Sequence, residues 1–181
     1  ASFDFPIYKD EVLVKQQQDS IMKFYKPYFQ FDQTKEQKAL SKLKTDFQGE
    51  LKMKMLSVYY FQHINAVLKS IYRAGIVASA EMTNIKKGKI QAVMVAKDKM
   101  ANVKPAVELF TTKTAYEYLL NADTVHFNKE ILRQCDLDNY IIPNLAFDKK
   151  KSEEAKNELF GTVSWAIGLV QSGQKIIDRG E

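Results

Sequence analysis

The feature that most constrains this chain is a change of hydrophobic period at Gly75. Before it, apolar residues recur at helical spacing: Leu13, Ile21, Phe24 and Tyr28, then Ala39, Leu40, Leu43 and Phe47, then Met55, Tyr59, Val67 and Ile71. After it, residues 89–96 (KIQAVMVA) and 103–110 (VKPAVELF) are short runs rich in β-branched side chains. A chain that switches from period 3.6 to strand-like runs reads as α+β. The expectation is a helical N-terminal half packed with a small mixed or antiparallel sheet, with short helices in the C-terminal half. With 181 residues and 45% apolar composition it can bury a sizeable core. A single domain over residues 1–181 is expected, with a long-helix region at about 10–75 and a mixed region at 76–181.

Local signals place the elements. Residues 2–8 alternate aromatic and polar around Pro6, as an extended arm or edge strand does. Asp10 is the expected N-cap of a helix through Gln30, ended or kinked near its last turn by Pro27. Thr34 and Gln37 form an expected capping box. Gly49 separates that helix from one over 51–74, for which Gly75 is the stop. Asp98-Lys99 lies between the two strands, and Pro105 puts the second on an edge or at a bulge. Helices are expected at about 113–120 and at 129–135, the latter capped by Asn128. Residues 140–148 are extended, and Ser152 caps a helix through Phe160. In residues 161–181, Val163, Trp165, Ile167 and Leu169 alternate as a strand does, and glycines 161, 168, 173 and 180 suit turns or close backbone approach. The chain stops just past its last turn signal, as an excised piece of something longer does.

Charge and composition narrow the function classes. The formal net charge is +5, and arginine occurs only at 73, 133 and 179, so the surplus is nearly all lysine. Nucleic-acid surfaces favour arginine forks, which makes that class weak. Cys135 is the single cysteine, which excludes an internal disulfide, and Ile131 and Leu132 beside it mark it as a core residue rather than a nucleophile. No apolar run approaches the ~18–20 residues that span a bilayer. His63 and His126 lack the ligand spacing of a metal site, and no nucleophile elbow or phosphate-cradling loop occurs. No cofactor is expected. Tyr59-Tyr60-Phe61, at helical spacing, is core rather than a ligand box. Asp136 and Asp138 read as a helix terminus and turn before a cation site, and Lys149–Lys151 as a solvated helix lead-in before a phosphate contact. Asn144 and Asp148 flank Leu145-Ala-Phe147 and can either pin nearby backbone or touch a ligand; local hydrogen bonding favours the pin.

Three stretches carry a family resemblance. They are Phe3-Asp-Phe-Pro-Ile-Tyr8, then Pro143-Asn-Leu-Ala-Phe-Asp148 with Ser152-Glu153 behind it, and Val170-Gln-Ser-Gly-Gln-Lys-Ile-Ile-Asp-Arg-Gly-Glu181. Together they resemble the extracytoplasmic domain of bacterial seven-transmembrane receptors with an intracellular HD hydrolase, some of which hydrolyse cyclic di-AMP. Ser152 stands where that family often has Thr, and residues 84–139 carry no family motif. The resemblance covers essentially the whole chain. It implies a sensory or regulatory ectodomain, cut out between two membrane helices, on the extracytoplasmic face of the bacterial inner membrane. Its partners would be its own membrane helices and HD domain, with a small ligand or an envelope component, and a homo-oligomer is an open option. Metal-dependent HD catalysis would lie outside this chain, which itself is not expected to be an enzyme. The family-motif residues are Asn144, Asp148, Ser152, Gly173 and Gly180, in a structural or a ligand role. The competing reading is a non-sensing assembly module. In either case both chain ends, residues 1–8 and 176–181, must lie at one end of the fold.

Overall fold

The computed structural model describes residues 5–50, 53, 56–163 and 166–170. In chain order the elements are β1 (Phe5–Tyr8), α1 (Glu11–Ile21), β2 (Tyr28–Phe31), α2 (Gln33–Gly49), α3 (Val58–Ala74), α4 (Ser79–Lys87), β3 (Ala92–Lys97), β4 (Met100–Pro105), α5 (Thr112–Asn121), α6 (Lys129–Arg133), β5 (Leu145–Phe147), α7 (Lys149–Gly161) and β6 (Ala166–Val170). Short 3-10 turns occur at Met22–Phe24, Ala106–Glu108 and Leu137–Tyr140. The fold is α+β, as the change of period predicts. The chain forms two compact units: one from the described parts of 1–25 and 152–181, the other from 26–151.

In the first unit, β1 and β6 form an antiparallel pair, with Phe5 opposite Val170 and Ile7 opposite Gly168. Both strands are expected from sequence, although the predicted alternation at Trp165 and everything beyond Val170 lie outside the described residues. Asp10 caps α1 as expected, its Oδ1 accepting from the Val12 N–H. The helix stops at Ile21 rather than reaching Gln30, and its buried side chain is Val14, while Leu13 and Phe24 are exposed. A 3-10 turn over Met22–Phe24 carries the chain to Tyr25, which is extended (ψ 132°), and Pro27 keeps the helix from resuming toward Gln30. Proline cannot donate to a helix, and it pushes the preceding residue toward extended backbone.

The second unit holds a four-stranded mixed sheet in the order β4-β3-β2-β5. β2 runs parallel to β3, with Phe29 opposite Val95, and antiparallel to β5, with Phe29 opposite Phe147. Residues 28–30, expected to be helical, are thus a central strand that buries Phe29. β3 and β4 form the predicted hairpin. Asp98 and Lys99 both take positive φ (48° and 67°), the backbone that a two-residue type I′ turn requires. Pro105 ends the edge strand β4, so the strand predicted to run to Phe110 is cut short by the 3-10 turn.

Three helix starts differ from expectation. α2 begins at Gln33, capped by Asp32, whose Oδ1 accepts from the Thr34 N–H at 2.9 Å and from its hydroxyl at 2.6 Å; the Thr34–Gln37 box is displaced by this earlier carboxylate. α3 begins at Val58 rather than near 51, and Met55 lies outside the described residues. Its buried stripe is Ile64, Leu68, Ile71 and Tyr72, while Tyr59 is exposed. α7 begins at Lys149, so Ser152 lies inside its first turn, buried, and does not cap it. α4 was not expected at all. The capping box of α5 (Thr111 with Thr114) and the Asn128 cap of α6 complete the unit.

Two apolar clusters fill this unit. One gathers Leu43, Ile64, Leu68, Ile71, Leu119, Leu132 and Leu137 from the helices, and the other Phe29, Val77, Ile85, Val93, Leu109 and Leu145 beneath the sheet. Each such side chain contributes about 1.5–3 kcal/mol on burial.

Candidate functional site

The C-terminus of α3 is where the family-motif region meets the rest of the second unit. A helix leaves its last four carbonyls without intrahelical partners. Here all four are accounted for. The Ile71 carbonyl accepts from the Gly75 N–H at 2.9 Å, and the Tyr72 carbonyl accepts from Asn144 Nδ2 at 2.9 Å. The Arg73 and Ala74 carbonyls each accept from Lys104 Nζ at 2.6 Å. Gly75, at φ 105°, turns the chain; a Cβ there would come within 2.5 Å of Leu145 Cδ1, so glycine is needed for the backbone and for the space.

Asn144 is almost fully buried, and its side chain works in both directions. Its Oδ1 accepts from the Ile76 N–H at 2.7 Å while Nδ2 donates to Tyr72. Its own N–H donates to the Ile76 carbonyl, and its carbonyl accepts from the Asp32 N–H at 2.8 Å, at the start of α2. The Tyr72 hydroxyl donates to the Tyr140 carbonyl at 2.8 Å and accepts from the Ile142 N–H at 3.1 Å; burial pushes its pKa up. Tyr140 in turn donates to Asp46 at 2.6 Å. That bond, and then Lys42, holds the Asp46 carboxyl below its ordinary value, while burial and Asp46 push the Tyr140 pKa up. Asn144 is thus a buried junction between α3, the start of α2 and β5.

Asp148 is the residue before α7. Its Oδ1 accepts from the Lys151 N–H at 3.0 Å, and its Oδ2 accepts from Gln30 Nε2 at 2.8 Å. The Gln30 bond first, then the Lys151 amide, keeps its carboxyl acidic. It performs the capping expected of Ser152, which follows four residues later, after three lysines. Ser152, in the first unit, presents its carbonyl to the Tyr25 hydroxyl at 3.3 Å. Gly173 and Gly180 lie outside the described residues. The structure therefore brings Asn144 and Asp148 to either end of β5, in backbone-pinning contacts.

A cavity of about 800 Å³ opens elsewhere in this unit, lined by Leu56, Ser57 and Tyr60 at the start of α3 and by Ile131, Gln134, Cys135 and Asp136 around the end of α6. That size suits a small ligand, and mostly apolar walls with a few polar groups are the usual composition of such sites. Ser57 occupies the N-cap position of α3 without a capping side-chain bond. Cys135 is buried, and its Sγ donates to the Ile131 carbonyl at 3.2 Å. Asp136, at φ 49°, opens the 3-10 turn, which matches the helix-end reading of that carboxylate. Sequence reasoning missed this cavity, because Ser57 and Gln134 stand about 75 positions apart and neither sits in a motif.

Next to it, Tyr60 and His63 hold Phe127. Tyr60 meets it edge-on at 5.1 Å, and His63 stacks on it at 3.9 Å with 12° between the planes. Phe61 packs on Phe47 at 4.7 Å. The core expectation for the aromatic triplet therefore holds for Tyr60 and Phe61 and is corrected for exposed Tyr59. His126 pairs with Asp123 at 2.9 Å on the surface. Among the described residues no three His, Cys, Asp or Glu side chains gather as metal ligands. None of the described helices is long and apolar enough to cross a membrane.

No curated protein and no solved structure matches the chain. A family model does: the family described as 7TM-HD extracellular matches residues 1–181. The match spans the chain from end to end, including the 84–139 stretch that carries no short motif. The chain belongs to the family of extracellular domains of seven-transmembrane HD receptors.

Proposed function

We propose that this domain is the regulatory input of its receptor. It binds a small ligand or an envelope component and biases the membrane helices, and through them an HD phosphohydrolase acting on cyclic di-AMP. The observation that carries the reading is the pairing of β1 with β6, which sets Phe5 beside Val170 although they lie at opposite ends of the sequence. A domain whose entering and leaving strands are hydrogen-bonded neighbours can pass a change in one small sheet to two membrane segments together. Coupling of this kind requires that the ligand bind two receptor states with different affinity. The cavity between α3 and α6 supports the sensing form of the reading over a purely scaffolding one.

The test uses membranes carrying the intact receptor and measures cyclic di-AMP hydrolysis. Replacing this domain by a short flexible linker is expected to change the basal rate several-fold. A second receptor, with Ile131→Trp filling the cavity, is expected to respond less to its stimulus while keeping the basal rate. An unchanged rate after replacement of the whole domain sinks the regulatory reading.

A further inference from the structure

We infer that β4 is a dimerisation edge, on which two copies of this chain pair their β4 strands antiparallel about a two-fold axis at Asn102. This goes beyond the regulatory reading and does not depend on it. β4 is the outer strand of the four-stranded sheet and, among the described residues, is bonded to β3 on one side only. Residues 100–103 are exposed, including Met100 at 67% and Val103 at 57%. Around the two-residue turn, Lys97 and Met100 form the first hydrogen-bonded pair, and such pairs recur at every second residue. The Ala106 N–H donating to the Gln91 carbonyl at 2.8 Å confirms that phase at the far end of the hairpin. Met100, Asn102 and Lys104 therefore spend their backbone groups on β3, and Ala101 and Val103 direct theirs outward.

Those two outward residues are symmetric about Asn102. Opposed to its own copy, Ala101 faces Val103 of the second copy and exchanges both backbone bonds with it, and the reciprocal pair does the same, about four bonds in all. The edge is closed at one end by the Asp98-Lys99 turn and at the other by Pro105, which has no N–H to offer. Its usable length is thus matched by itself. Along the strand itself, charge neither attracts an acidic foreign strand nor opposes a second copy. The one charged side chain on β4 is Lys104, already committed to the Arg73 and Ala74 carbonyls. In the paired register Lys104 falls opposite Met100 of the second copy, so no like charges oppose each other in the ladder. Natural edges are usually blunted by charge or a bulge, and β4 has neither along residues 100–103.

The experiment is oxidative crosslinking of the chain carrying Asn102→Cys. The two-fold axis puts residue 102 opposite itself in a non-hydrogen-bonded pair, about 4.5 Å between Cα atoms, within the range a disulfide accepts. Under copper–phenanthroline and air the variant is expected to form a disulfide-linked dimer. The parent chain, whose one thiol is buried, and a Lys87→Cys control are expected to form no disulfide-linked dimer. Sedimentation equilibrium of the parent should show a dimer that strengthens with added salt, because both partners carry +5. Val103→Pro, which removes an outward N–H at an exposed site, should abolish it. Crosslinking of N102C no faster than the Lys87→Cys control, or a dimer that survives Val103→Pro, overturns the proposal. So does self-association that weakens with salt, which would mean that opposite charges rather than backbone pairing hold the two copies together.

Discussion

Asn144 owes its place to three other segments, and this makes its substitution informative. Asn144→Asp keeps the shape, but it loses the donor to the Tyr72 carbonyl and puts a carboxylate where burial is nearly complete. The expected cost is about 2–4 kcal/mol, from an unsatisfied carbonyl and an unpaired charge. Thermal or urea unfolding checks it, and a loss below about 0.5 kcal/mol would return Asn144 to the ligand-contact reading. The sequence singled out Asn144, yet its partners were illegible, because they lie 68 and 72 residues away. His63 gives a second prediction. Burial pushes its pKa down, with the Asp123 carboxylate opposing, and its Nε2 is buried with no partner among the described residues. The unfolded chain therefore takes up the proton first, at about pH 6.5. The contribution of His63 is complete above that pH and is lost as pH falls through 6.5 toward the lower folded value. His63→Phe, which keeps the stack on Phe127, should flatten the dependence of the urea midpoint between about pH 7.5 and 5. The lowered carboxylates Asp46, Asp123 and Asp148 act in a separate, more acidic window. A slope unchanged by His63→Phe would assign the pH dependence to other groups.

At the level of elements, the errors share one cause: short segments whose identity is decided by distant partners. β2 has four residues, and Tyr28 fits a helical stripe as well as a strand; its parallel partner, Met94, lies far along the chain. α4 buries only Ile85, so its apolar period is faint. Its ends carry Glu81 in the first turn and Lys86 and Lys87 in the last, as the helix dipole favours. α4 closes in a Schellman motif displaced by one residue from its glycine. Lys89 N–H donates to the Lys86 carbonyl at 3.1 Å and Ile90 N–H to the Ile85 carbonyl at 3.0 Å, which places Lys89 rather than Gly88 at the left-handed position, φ 51°. Ile85 and Ile90 also meet in the cluster beneath the sheet. Lys89→Gly should therefore stabilise the chain by about 1 kcal/mol, by relieving the left-handed strain of a side-chain-bearing residue. Gly88→Ala brings a Cβ to 3.2 Å from the Asn84 carbonyl and should be neutral to slightly destabilising. Urea midpoints of the two variants test the assignment; stabilisation by Gly88→Ala and not by Lys89→Gly would refute it.

On the scale of the whole molecule, the change of period at Gly75 marks a junction inside one compact unit. It predicts the α+β class, but the units divide the chain differently, its two ends together and its middle apart. Periodicity reports which face of a segment is apolar and says nothing about which distant segment covers it, so this division was not legible. It has a testable consequence. Both apolar clusters, the four-stranded sheet, the Asn144 junction and the lysine cap of α3 draw their residues from 26–151. A fragment of residues 26–151 should therefore fold without the chain ends, at a size where single domains commonly do. It should show cooperative unfolding and dispersed amide resonances, and retain the upward-shifted Tyr140 titration, because Asp46 and Tyr140 both remain. The complementary loss falls on the ends. Deleting residues 1–8 removes β1, the one strand paired with β6 among the described residues, so it should weaken the first unit while the Tyr140 signature persists. If the 26–151 fragment is unfolded, the two units are one cooperative body. Under the proposed sensing role, a signal from the cavity would then reach the paired end strands through the global stability of the domain.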